Sequence, residues 1–252
     1  MILALFGYGR FGRAFADLVA HAGHTVRVVD PAATVPAGYA CDTAAHALDG
    51  AQWAVLAMPV PHLEAALRAL RPLLAPQHTV IDVGSVKQHP CRLLDEYLGD
   101  AVPHAGTHPL FGPLSIARGE PRRTVVCASA RHPQAAARTR ALFTELGCSV
   151  IDKDPATHDH AMAKTHALAF FIARALVEMG VGDDLSMAPP SFLGLANMLA
   201  AVRGDAGHLF AAIQRENPYA GAARAELIEH LARIHGRLLA SDDAMPIPPP
   251  AQ

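Results

Sequence analysis

Three glycines close to the N-terminus restrict what this chain can fold into more than any other feature. Gly7, Gly9 and Gly12 form the pattern G-x-G-x-x-G between an apolar run, Ile2–Phe6, and a segment of helical periodicity, Arg10–Ala22. In such a strand–turn–helix unit the first glycine permits a tight turn, the second lets a pyrophosphate approach the backbone, and the third lets the helix pack on the strand. The pattern predicts a dinucleotide site, with a non-binding glycine turn as the alternative.

Asp30 is a candidate for binding the adenine ribose of that dinucleotide. It ends the second apolar run, 18 residues beyond Gly12, where a carboxylate can accept hydrogen bonds from both ribose hydroxyls and repel a 2′-phosphate. NAD is therefore favoured over NADP, although Arg10 and Arg27 lie nearby and leave NADP open. The predicted cofactor-binding residues are Gly7, Tyr8, Gly9, Arg10, Phe11, Gly12, Asp30, Met58 and Pro59.

Short apolar runs alternate with helical segments as far as Asp152, which predicts an α/β fold with a Rossmann-type, doubly wound parallel sheet. After Asp152 the pattern is helical only, beginning at the capping pair Asp154-Pro155 and first interrupted after Met179. The predicted strands are Ile2–Phe6, Thr25–Val29, Trp53–Met58, Val80–Val83, Thr124–Ala128 and Ser149–Asp152, and the predicted later helices are Phe192–Val202, Gly207–Glu216 and Gly221–Leu239.

These segments divide into three parts. We expect a dinucleotide-binding domain at 1–152, an all-helical substrate and dimerisation domain at 153–242, and a disordered proline-rich tail at 243–252. The apolar faces of Phe192–Val202 and Leu227–Leu238 are consistent with a homodimer.

Composition limits the partners. The net charge is −2 with acidic and basic residues mixed along the chain, which excludes the concentrated charge of a nucleic-acid or membrane-surface protein. No run approaches the roughly 20 apolar residues of a membrane span. The four cysteines are widely spaced and form no C-x-x-C pair, so free thiols and a cytoplasmic location are predicted.

Two further clusters carry polar side chains next to predicted strands. Ser85 and Lys87 follow the fourth strand, where ligands of open α/β sheets bind; alternatively, Ser85 caps the next helix. Thr107 and His108 lie in a segment bounded by glycines, G-T-H-P-L-F-G-P at 106–113, which we interpret as an irregular loop that positions the histidine by its backbone. A purely structural histidine is the alternative.

A third cluster begins the first helix after residue 152. His158 and His166 are eight residues apart and share a helix face with Met162 and Phe170. A metal site is conceivable there, but no further carboxylate or cysteine on that face completes a ligand set. We therefore predict no metal.

Together these clusters resemble the prephenate/arogenate dehydrogenase family. G-T-H-P-L-F-G-P at 106–113 is similar to that family's G-T-H-P-M-F-G-P signature, D-V-G-S-V-K at 82–87 to its D-x-x-S-V-K signature, and H-D-x-x-x-A at 158–163 to the start of its interdomain helix. The stretch 204–220 resembles plant-type arogenate dehydrogenases. The resemblance covers nearly the whole chain and implies a Rossmann domain, a helical dimerisation domain and an active site between them.

The resemblance also implies roles for single residues. His108 matches the histidine that binds the substrate's ring hydroxyl, and Ser85 matches the serine that holds that hydroxyl near the nicotinamide. Lys87, Thr107 and His166 are expected to line the substrate pocket, although His166 stands where plant-type members have glutamine. Asp205 falls, allowing one inserted residue, where arogenate-using members carry an acidic residue.

Two departures weigh against prephenate as the substrate. Phe170 stands where many bacterial prephenate-using members have histidine, and the expected carboxylate-binding arginine is missing from 199–201, with Arg203 the nearest. The resemblance thus implies oxidative decarboxylation of arogenate to tyrosine, with prephenate dehydrogenase as the alternative. With His108 as the base, activity is expected to rise with pH in roughly the range 6–7.5.

Two other classes share the glycine pattern. β-Hydroxyacid dehydrogenases and imine reductases place a catalytic lysine on the interdomain helix, usually followed four residues later by asparagine; here Lys164 is followed by Leu168. A non-catalytic NAD sensor would not need the clusters around Ser85 and His108.

Overall fold

The computed structural model describes residues 1–204 and 207–240. The strands are Ile2–Phe6 (β1), Thr25–Val29 (β2), Trp53–Leu56 (β3), Thr79–Asp82 (β4), His104–Pro109 (β5), Arg123–Ala128 (β6) and Ser149–Asp152 (β7). The helices that accompany them are Arg10–His21 (α1), Ala44–Leu48 (α2), Leu63–Leu70 (α3), Gln88–Leu98 (α4), Pro113–Ala117 (α5) and Pro133–Glu145 (α6). Single 3₁₀ turns, Val60–His62 and Arg71–Leu73, flank α3.

The strands form one sheet in the order β2-β1-β3-β4-β5-β6-β7. Neighbouring strands are parallel except β5 and β6, which are antiparallel. The connection from β5 to β6 contains only the five-residue helix α5, whereas a parallel crossover usually contains a full helix that packs on the sheet. The predicted Rossmann-type sheet is confirmed, with this one reversal that the sequence did not predict.

Alternating strand residues build the two sides of the core. Leu3 and Leu5 of β1 pack with α1 and α6 on one face, while Ala4 and Phe6 pack with α3 and α4 on the other. Both faces are therefore covered by helices, as a parallel sheet requires.

After β7, the described part of the chain contains helices and no further strand. The helices are Pro155–Met162 (α7), Leu168–Glu178 (α8), Pro190–Arg203 (α9), His208–Arg215 (α10) and Ala220–Leu239 (α11). A π-helical turn, Ala163–Ala167, joins α7 to α8, so the predicted long helix is continuous but not uniformly α. The predicted N-cap Asp154 is confirmed, because its carboxylate accepts from the N–H groups of Ala156 and Thr157. The predicted tail, 243–252, lies outside the described residues.

The segment predicted as a loop around His108 is the main local error. Residues 104–109 form the central strand β5, and every one of them is buried. Glycine and proline in this segment are typical of loops, but hydrogen bonding to β4 and β6 on both sides determines its conformation. His108 is therefore carried by the sheet itself.

Candidate active site

The glycine turn has the geometry that a dinucleotide requires at the start of a helix. Gly7 has a φ of 108°, and a Cβ placed there would lie 2.6 Å from the carbonyl oxygen of Ala57, so a side chain does not fit. A Cβ at Gly12 would collide with the carbonyl oxygen of Gly7, whereas Gly9 has open space around it. The N-terminus of α1 thus offers an open surface of positive potential to a pyrophosphate.

Asp30 follows β2 and already holds part of this turn. Its carboxylate accepts hydrogen bonds from the backbone N–H groups of Tyr8 (2.6 Å), Ala32 (2.8 Å) and Ala33 (2.8 Å). Burial raises the pKa of Asp30, but these donors and the charge of Arg13 outweigh burial and lower the pKa below its ordinary value. Three of about four lone-pair positions are filled, which leaves room for one ribose hydroxyl rather than the two that the sequence predicted.

Tyr8 and Phe11 differ from the cofactor contacts predicted for them. Tyr8 is buried and its backbone N–H donates to the Asp30 carboxylate. Phe11 packs against Phe111, with ring centroids 6.0 Å apart. Both aromatic residues therefore support the glycine turn from beneath.

Arg10, Met58 and Pro59 lie at the predicted cofactor edge. Arg10 is exposed in the first turn of α1, and Met58 and Pro59 are half-buried directly after β3. Arg27, by contrast, donates to two backbone carbonyl oxygens in and just after α2, at 2.9 and 2.6 Å. Its guanidinium group is committed to that helix rather than to a ligand.

Lys87 and Thr107 join the ends of β4 and β5. The Lys87 ammonium group donates to the Asp82 carboxylate and to the Thr107 carbonyl oxygen (2.5 Å). Thr107 in turn donates through Oγ1 to the Asp82 carbonyl oxygen (2.5 Å) and through N–H to Asp82 Oδ1 (3.3 Å). The sequence predicted substrate contacts for Lys87 and Thr107, but both are fully buried with internal partners. They hold the strand that carries His108.

His108 is linked to two residues of α7. Its Nδ1 lies 2.8 Å from His158 Nε2, and His158 Nδ1 lies 2.8 Å from Asp159 Oδ1. The Asp159 carboxylate also accepts from the backbone N–H groups of Lys87 (2.7 Å) and Gln88 (2.9 Å) at the start of α4. A chain of hydrogen bonds thus runs from His108 to a buried carboxylate.

His166 lies against the other side of the His108 ring. The two rings are stacked with centroids 5.9 Å apart, and Phe170 packs edge-on against His166 at 4.8 Å. His166 belongs to the π-helical turn, a feature common at functional positions. The prediction that His158 and His166 share one face is confirmed, because both rings contact His108.

Burial keeps His108 and His166 uncharged. Burial first, and then the neighbouring His158, His166 and Lys87, lower the pKa of His108 well below its ordinary value. Burial and His158 lower the pKa of His166 to about 4. The expectation of an activity change between pH 6 and 7.5 is therefore wrong for His108 as the titrating group, because its pKa lies lower.

One nitrogen of His108 is available to accept a proton. Within residues 1–204 and 207–240, Nε2 of His108 has no hydrogen-bond partner, whereas Nδ1 is engaged by His158. A neutral imidazole with a bare nitrogen is the form that a general base requires.

Ser85 is half-buried in the turn after β4, at the same edge of the sheet as His108. Helix α4 begins after Lys87 without a side-chain cap from its own segment, so the alternative that Ser85 caps this helix is wrong. No hydrogen bond joins Ser85 to His108 in the described part of the chain, and its catalytic role stays a prediction.

The remaining sequence candidates lie elsewhere. Asp205 lies outside the described residues. Arg203 donates to the Val181 carbonyl oxygen and pairs with Asp183 at the surface, so it is not aimed at His108. The described residues contain no group of three His, Cys, Asp or Glu side chains that could hold a metal ion.

His158 and Asp159 are the site residues that sequence reasoning missed. Both were noticed as a cluster, but neither was assigned a part in the site. Asn217, from the segment before α11, also reaches this point, since its Nδ2 donates to the Asp159 carbonyl oxygen at 2.8 Å. An ionisable His-Asp pair just inside a capped helix was the one available signal.

Comparison with known proteins agrees with this geometry. Residues 17–123 match the sequence profile described as the nucleotide-binding domain of prephenate dehydrogenase. A 4-amino-4-deoxyprephenate dehydrogenase from Streptomyces pristinaespiralis is 29% identical over 244 residues, which are 90% of this chain and 81% of that protein. Both matches support the prephenate/arogenate dehydrogenase family. They agree with the resemblance that the four motifs predicted: the profile describes a nucleotide-binding domain, and the relative is named a dehydrogenase.

Two other members of the family extend the comparison. The chloroplastic arogenate dehydrogenase 1 of Arabidopsis thaliana is 24% identical over 246 residues, covering 92% of this chain but only 37% of that protein. The crystal structure of A. aeolicus prephenate dehydrogenase with hydroxyphenyl propionate and NAD+ has a TM-score of 0.75 and 19% identity, covering 96% of this chain and 92% of that one. The structural likeness establishes the shared fold. No helix among the described residues is long and apolar enough to cross a membrane.

Proposed function

We propose that this protein is a nicotinamide-dependent dehydrogenase that oxidises and decarboxylates a cyclohexadiene of the arogenate or prephenate type. The observation that carries the proposal is His108, a buried imidazole of lowered pKa whose Nε2 is unoccupied. It lies at the carboxyl edge of the sheet, the same edge as the glycine turn, where ligands of open α/β sheets bind.

The residues of the chain have a limited task in this reaction. Such substrates carry a hydroxyl on one ring carbon and a carboxylate on the opposite carbon. His108 Nε2 accepts the hydroxyl proton while Ser85 orients that hydroxyl, and loss of carbon dioxide makes the ring aromatic. A bound nicotinamide supplies the hydride acceptor. Because aromatisation drives the reaction, orientation of the carbon–hydrogen bond and removal of one proton are sufficient.

Arogenate is the substrate that we favour. It has an ammonium group where prephenate has a keto oxygen, and the carboxylate of Asp205 would attract that group. The argument rests on the sequence position of Asp205 alone. Asp205→Asn should shift the ratio of kcat/KM values toward prephenate, by about tenfold for each 1.4 kcal/mol of lost attraction; an unchanged ratio would leave prephenate as an equal candidate.

A second candidate substrate carries an amino group in place of the ring hydroxyl. The observation that favours it is the Streptomyces relative, which is named a 4-amino-4-deoxyprephenate dehydrogenase and aligns over 81% of its own length. A neutral imidazole accepts a proton from either substituent, so His108 fits both chemistries.

NAD is the cofactor that we favour over NADP. Asp30 has a lowered pKa and stays ionised beside the glycine turn, so it would repel a 2′-phosphate. Arg27, one of the two nearby arginines that leave NADP open, donates to carbonyl oxygens in and just after α2 instead; Arg10 remains exposed in α1.

The hydroxyacid-dehydrogenase alternative receives no support from Lys164. Its ammonium group is exposed and pairs with Glu226 at 3.5 Å. In the enzymes of that class the corresponding lysine is the catalytic group, so the exposed position here favours His108 chemistry.

A homodimer assembled through the helical part, and a cytoplasmic location, complete the proposal. Helix α11 exposes Ile228, Leu231, Ile234 and Leu238, spaced three or four residues apart along one face, with 53, 54, 47 and 62% of their surface accessible. A second copy of the chain would bury this stripe, and sedimentation of the purified protein at micromolar concentration tests this. The division at residue 152 into a dinucleotide-binding and a helical domain is also part of the proposal.

The test of function is a substrate panel. Purified protein is mixed with NAD or NADP and with arogenate, prephenate or 4-amino-4-deoxyprephenate, and reduced cofactor is followed by its near-ultraviolet absorbance. Strong turnover of arogenate with NAD is expected. Preference for one of the other two substrates would keep the reaction class and replace the substrate, whereas no turnover of any would contradict the proposal.

A further inference from the structure

Asp159, His158 and His108 form a chain of hydrogen bonds, and the carboxylate of Asp159 fixes which atoms in that chain donate. An ionised carboxylate only accepts, so the 2.8 Å contact with His158 Nδ1 requires a proton on that nitrogen. When His158 is neutral, its Nε2 is bare and must accept from His108 Nδ1 at 2.8 Å. His108 is then left without a proton on Nε2, the nitrogen that a substrate would meet.

Asp159 is held in position by backbone groups at the start of a helix. It is fully buried and accepts from the N–H groups of Lys87 and Gln88 at the N-terminus of the 11-residue helix α4, where the helix dipole favours a negative charge. Asn217 holds the Asp159 carbonyl group from the opposite side. This arrangement ties α7 to the sheet at the point where His108 lies.

We propose that Asp159 and His158 are positioning residues that set the tautomer of His108 and take over its proton during turnover; this inference rests on the proposed function. The substrate O–H bond breaks as that proton bonds to His108 Nε2, and the freed electron pair forms a C=O bond as the hydride of the same carbon would leave to a bound nicotinamide. The bond from His108 Nδ1 to its proton breaks as His158 Nε2 gains that proton. The positive charge then lies on the ring that contacts Asp159. Cleavage of the C–C bond to the carboxylate releases carbon dioxide and returns an electron pair through the ring to the substrate oxygen, which takes the proton back from His108 as a phenol.

The groups around His108 explain why such a transfer is needed. The charge of Lys87, which is paired with Asp82, contributes to the lowered pKa of His108, and the uncharged His166 is stacked against the His108 ring. A positive charge kept on His108 would be buried beside an ammonium group. The same charge on His158 lies 2.8 Å from a carboxylate oxygen.

Asp159→Asn is the first test. An amide nitrogen in place of Oδ1 can donate to His158 Nδ1, at the cost of the Lys87 N–H bond that Oδ1 also accepts. It reverses the chain of hydrogen bonds and places the proton on His108 Nε2. A wrong tautomer of this kind costs about 10⁴-fold in a catalytic triad, so we expect kcat to fall by about 10²- to 10⁴-fold, no more than removal of the base itself costs, with dinucleotide affinity unchanged. The matched control is Asp154→Asn, the same exchange at the exposed N-cap of α7, which should leave kcat within about twofold because Asn also caps helices.

A spectroscopic readout separates a positioning role from a merely structural one. In full-length protein labelled with ¹⁵N-histidine, the ring nitrogens report which one carries the proton. Wild type should show His108 protonated on Nδ1, and Asp159→Asn should move that proton to Nε2. If the tautomer is the same in both proteins, or if wild type carries the proton on Nε2, the proposal is overturned.

This readout does not depend on turnover, so failure of the proposed function and failure of this inference are distinguishable. Should Asp159→Asn not fold, His158→Gln takes its place, since the glutamine oxygen can accept from His108 Nδ1 but cannot take the proton onward. We expect His158→Gln to keep the His108 tautomer and to lose about 10- to 100-fold in kcat. Full activity of His158→Gln would overturn the proposed transfer of the proton from His108 to His158.

Discussion

Two buried acid–base networks lie side by side at the carboxyl edge of the sheet, and they differ in the cation that they use. One pairs Asp82 with the ammonium group of Lys87, and the other connects Asp159 through His158 to His108. An ammonium group can only donate, whereas an imidazole can donate through one nitrogen and accept through the other. The Asp82–Lys87 network therefore fixes geometry, whereas the Asp159–His158–His108 network can move a proton.

The two networks share one residue. The Lys87 side chain bonds to Asp82 and Thr107, while the Lys87 backbone N–H bonds to Asp159. Loss of the Lys87–Asp82 pair should therefore disturb the Asp159–His158–His108 network, because the Lys87 backbone belongs to both. Damage confined to the imidazoles should leave the first network intact, and this asymmetry can be tested.

The largest effect is expected from His108→Gln. It removes the proposed base and should reduce kcat by about 10²- to 10⁴-fold, the usual contribution of general-base catalysis, while dinucleotide affinity stays the same. Steady-state kinetics and dinucleotide titration measure both quantities.

His104→Gln is the matched control for that change. His104 is a second buried histidine of β5, bonded to the Val102 carbonyl oxygen and to Asp95, both at 2.8 Å. Its replacement should lower the free energy of unfolding but leave kcat of the folded protein nearly unchanged. Equal losses of kcat in the two variants would mean that His108 is structural.

Lys87→Met should have the next largest effect, on stability. It leaves the Asp82 carboxylate buried without its cation, which typically costs about 3–5 kcal/mol. Urea denaturation measures this, and the double variant Asp82→Asn with Lys87→Met should recover part of the loss. Removal of the exposed pair Arg140–Asp152 is the control and should change little. Similar losses from the buried and exposed pairs would contradict the assigned role of Lys87.

His166 should make stability depend on pH. Its pKa is lowered from 6.5 to about 4 in the folded protein, so the unfolded chain binds more protons between these values and stability is lost as pH falls from 6.5 toward 4. The loss should be roughly 2–3 kcal/mol. Unfolding of wild type and His166→Gln across this range tests it: a loss of equal size in the variant would assign the acid sensitivity to other groups.

The smallest effect is expected outside both networks, at the glycine turn. Gly9 has open space around it, so Gly9→Ala should barely change stability but should weaken dinucleotide binding, by about tenfold, because the methyl group occupies the approach of the pyrophosphate. Gly12→Ala should lower stability instead, since its Cβ collides with the Gly7 carbonyl oxygen. If calorimetry instead shows weakened dinucleotide binding for Gly12→Ala and lowered stability for Gly9→Ala, the pyrophosphate binds elsewhere.

Local patterns were sufficient for the parts of the fold that depend on local interactions. The glycine turn, the first strands and the Asp154 cap follow from residues close together in the chain. The strand around His108 was missed because Gly106 and Pro109 are typical of loops, and only pairing with β4 and β6 makes the segment extended. A Cβ at Gly106 would also collide with Cys91 Sγ of α4, which is a contact between elements.

Local sequence patterns were likewise insufficient to predict the contacts of the polar residues in the site. A lysine after a strand has the same local pattern whether it faces a substrate or, like Lys87, pairs with a buried carboxylate. His158 lies 50 residues from His108 in the chain, so no local spacing predicted their hydrogen bond. The sequence therefore predicted which residues lie near the site. Only tertiary packing showed which of them can contact a substrate and which, like Lys87, hold other residues in place.

The measurement that tests the central claim most directly is the pH dependence of kcat/KM for wild type, from pH 4 to 9, with brief assays after a jump from neutral pH. The account holds that His108 is a base whose pKa burial has lowered well below 6.5. It predicts a level profile from pH 6.5 to 8 and a loss of activity only on the acid side. A rate that climbs through pH 6.5–8 as an ordinary imidazole titrates would contradict it.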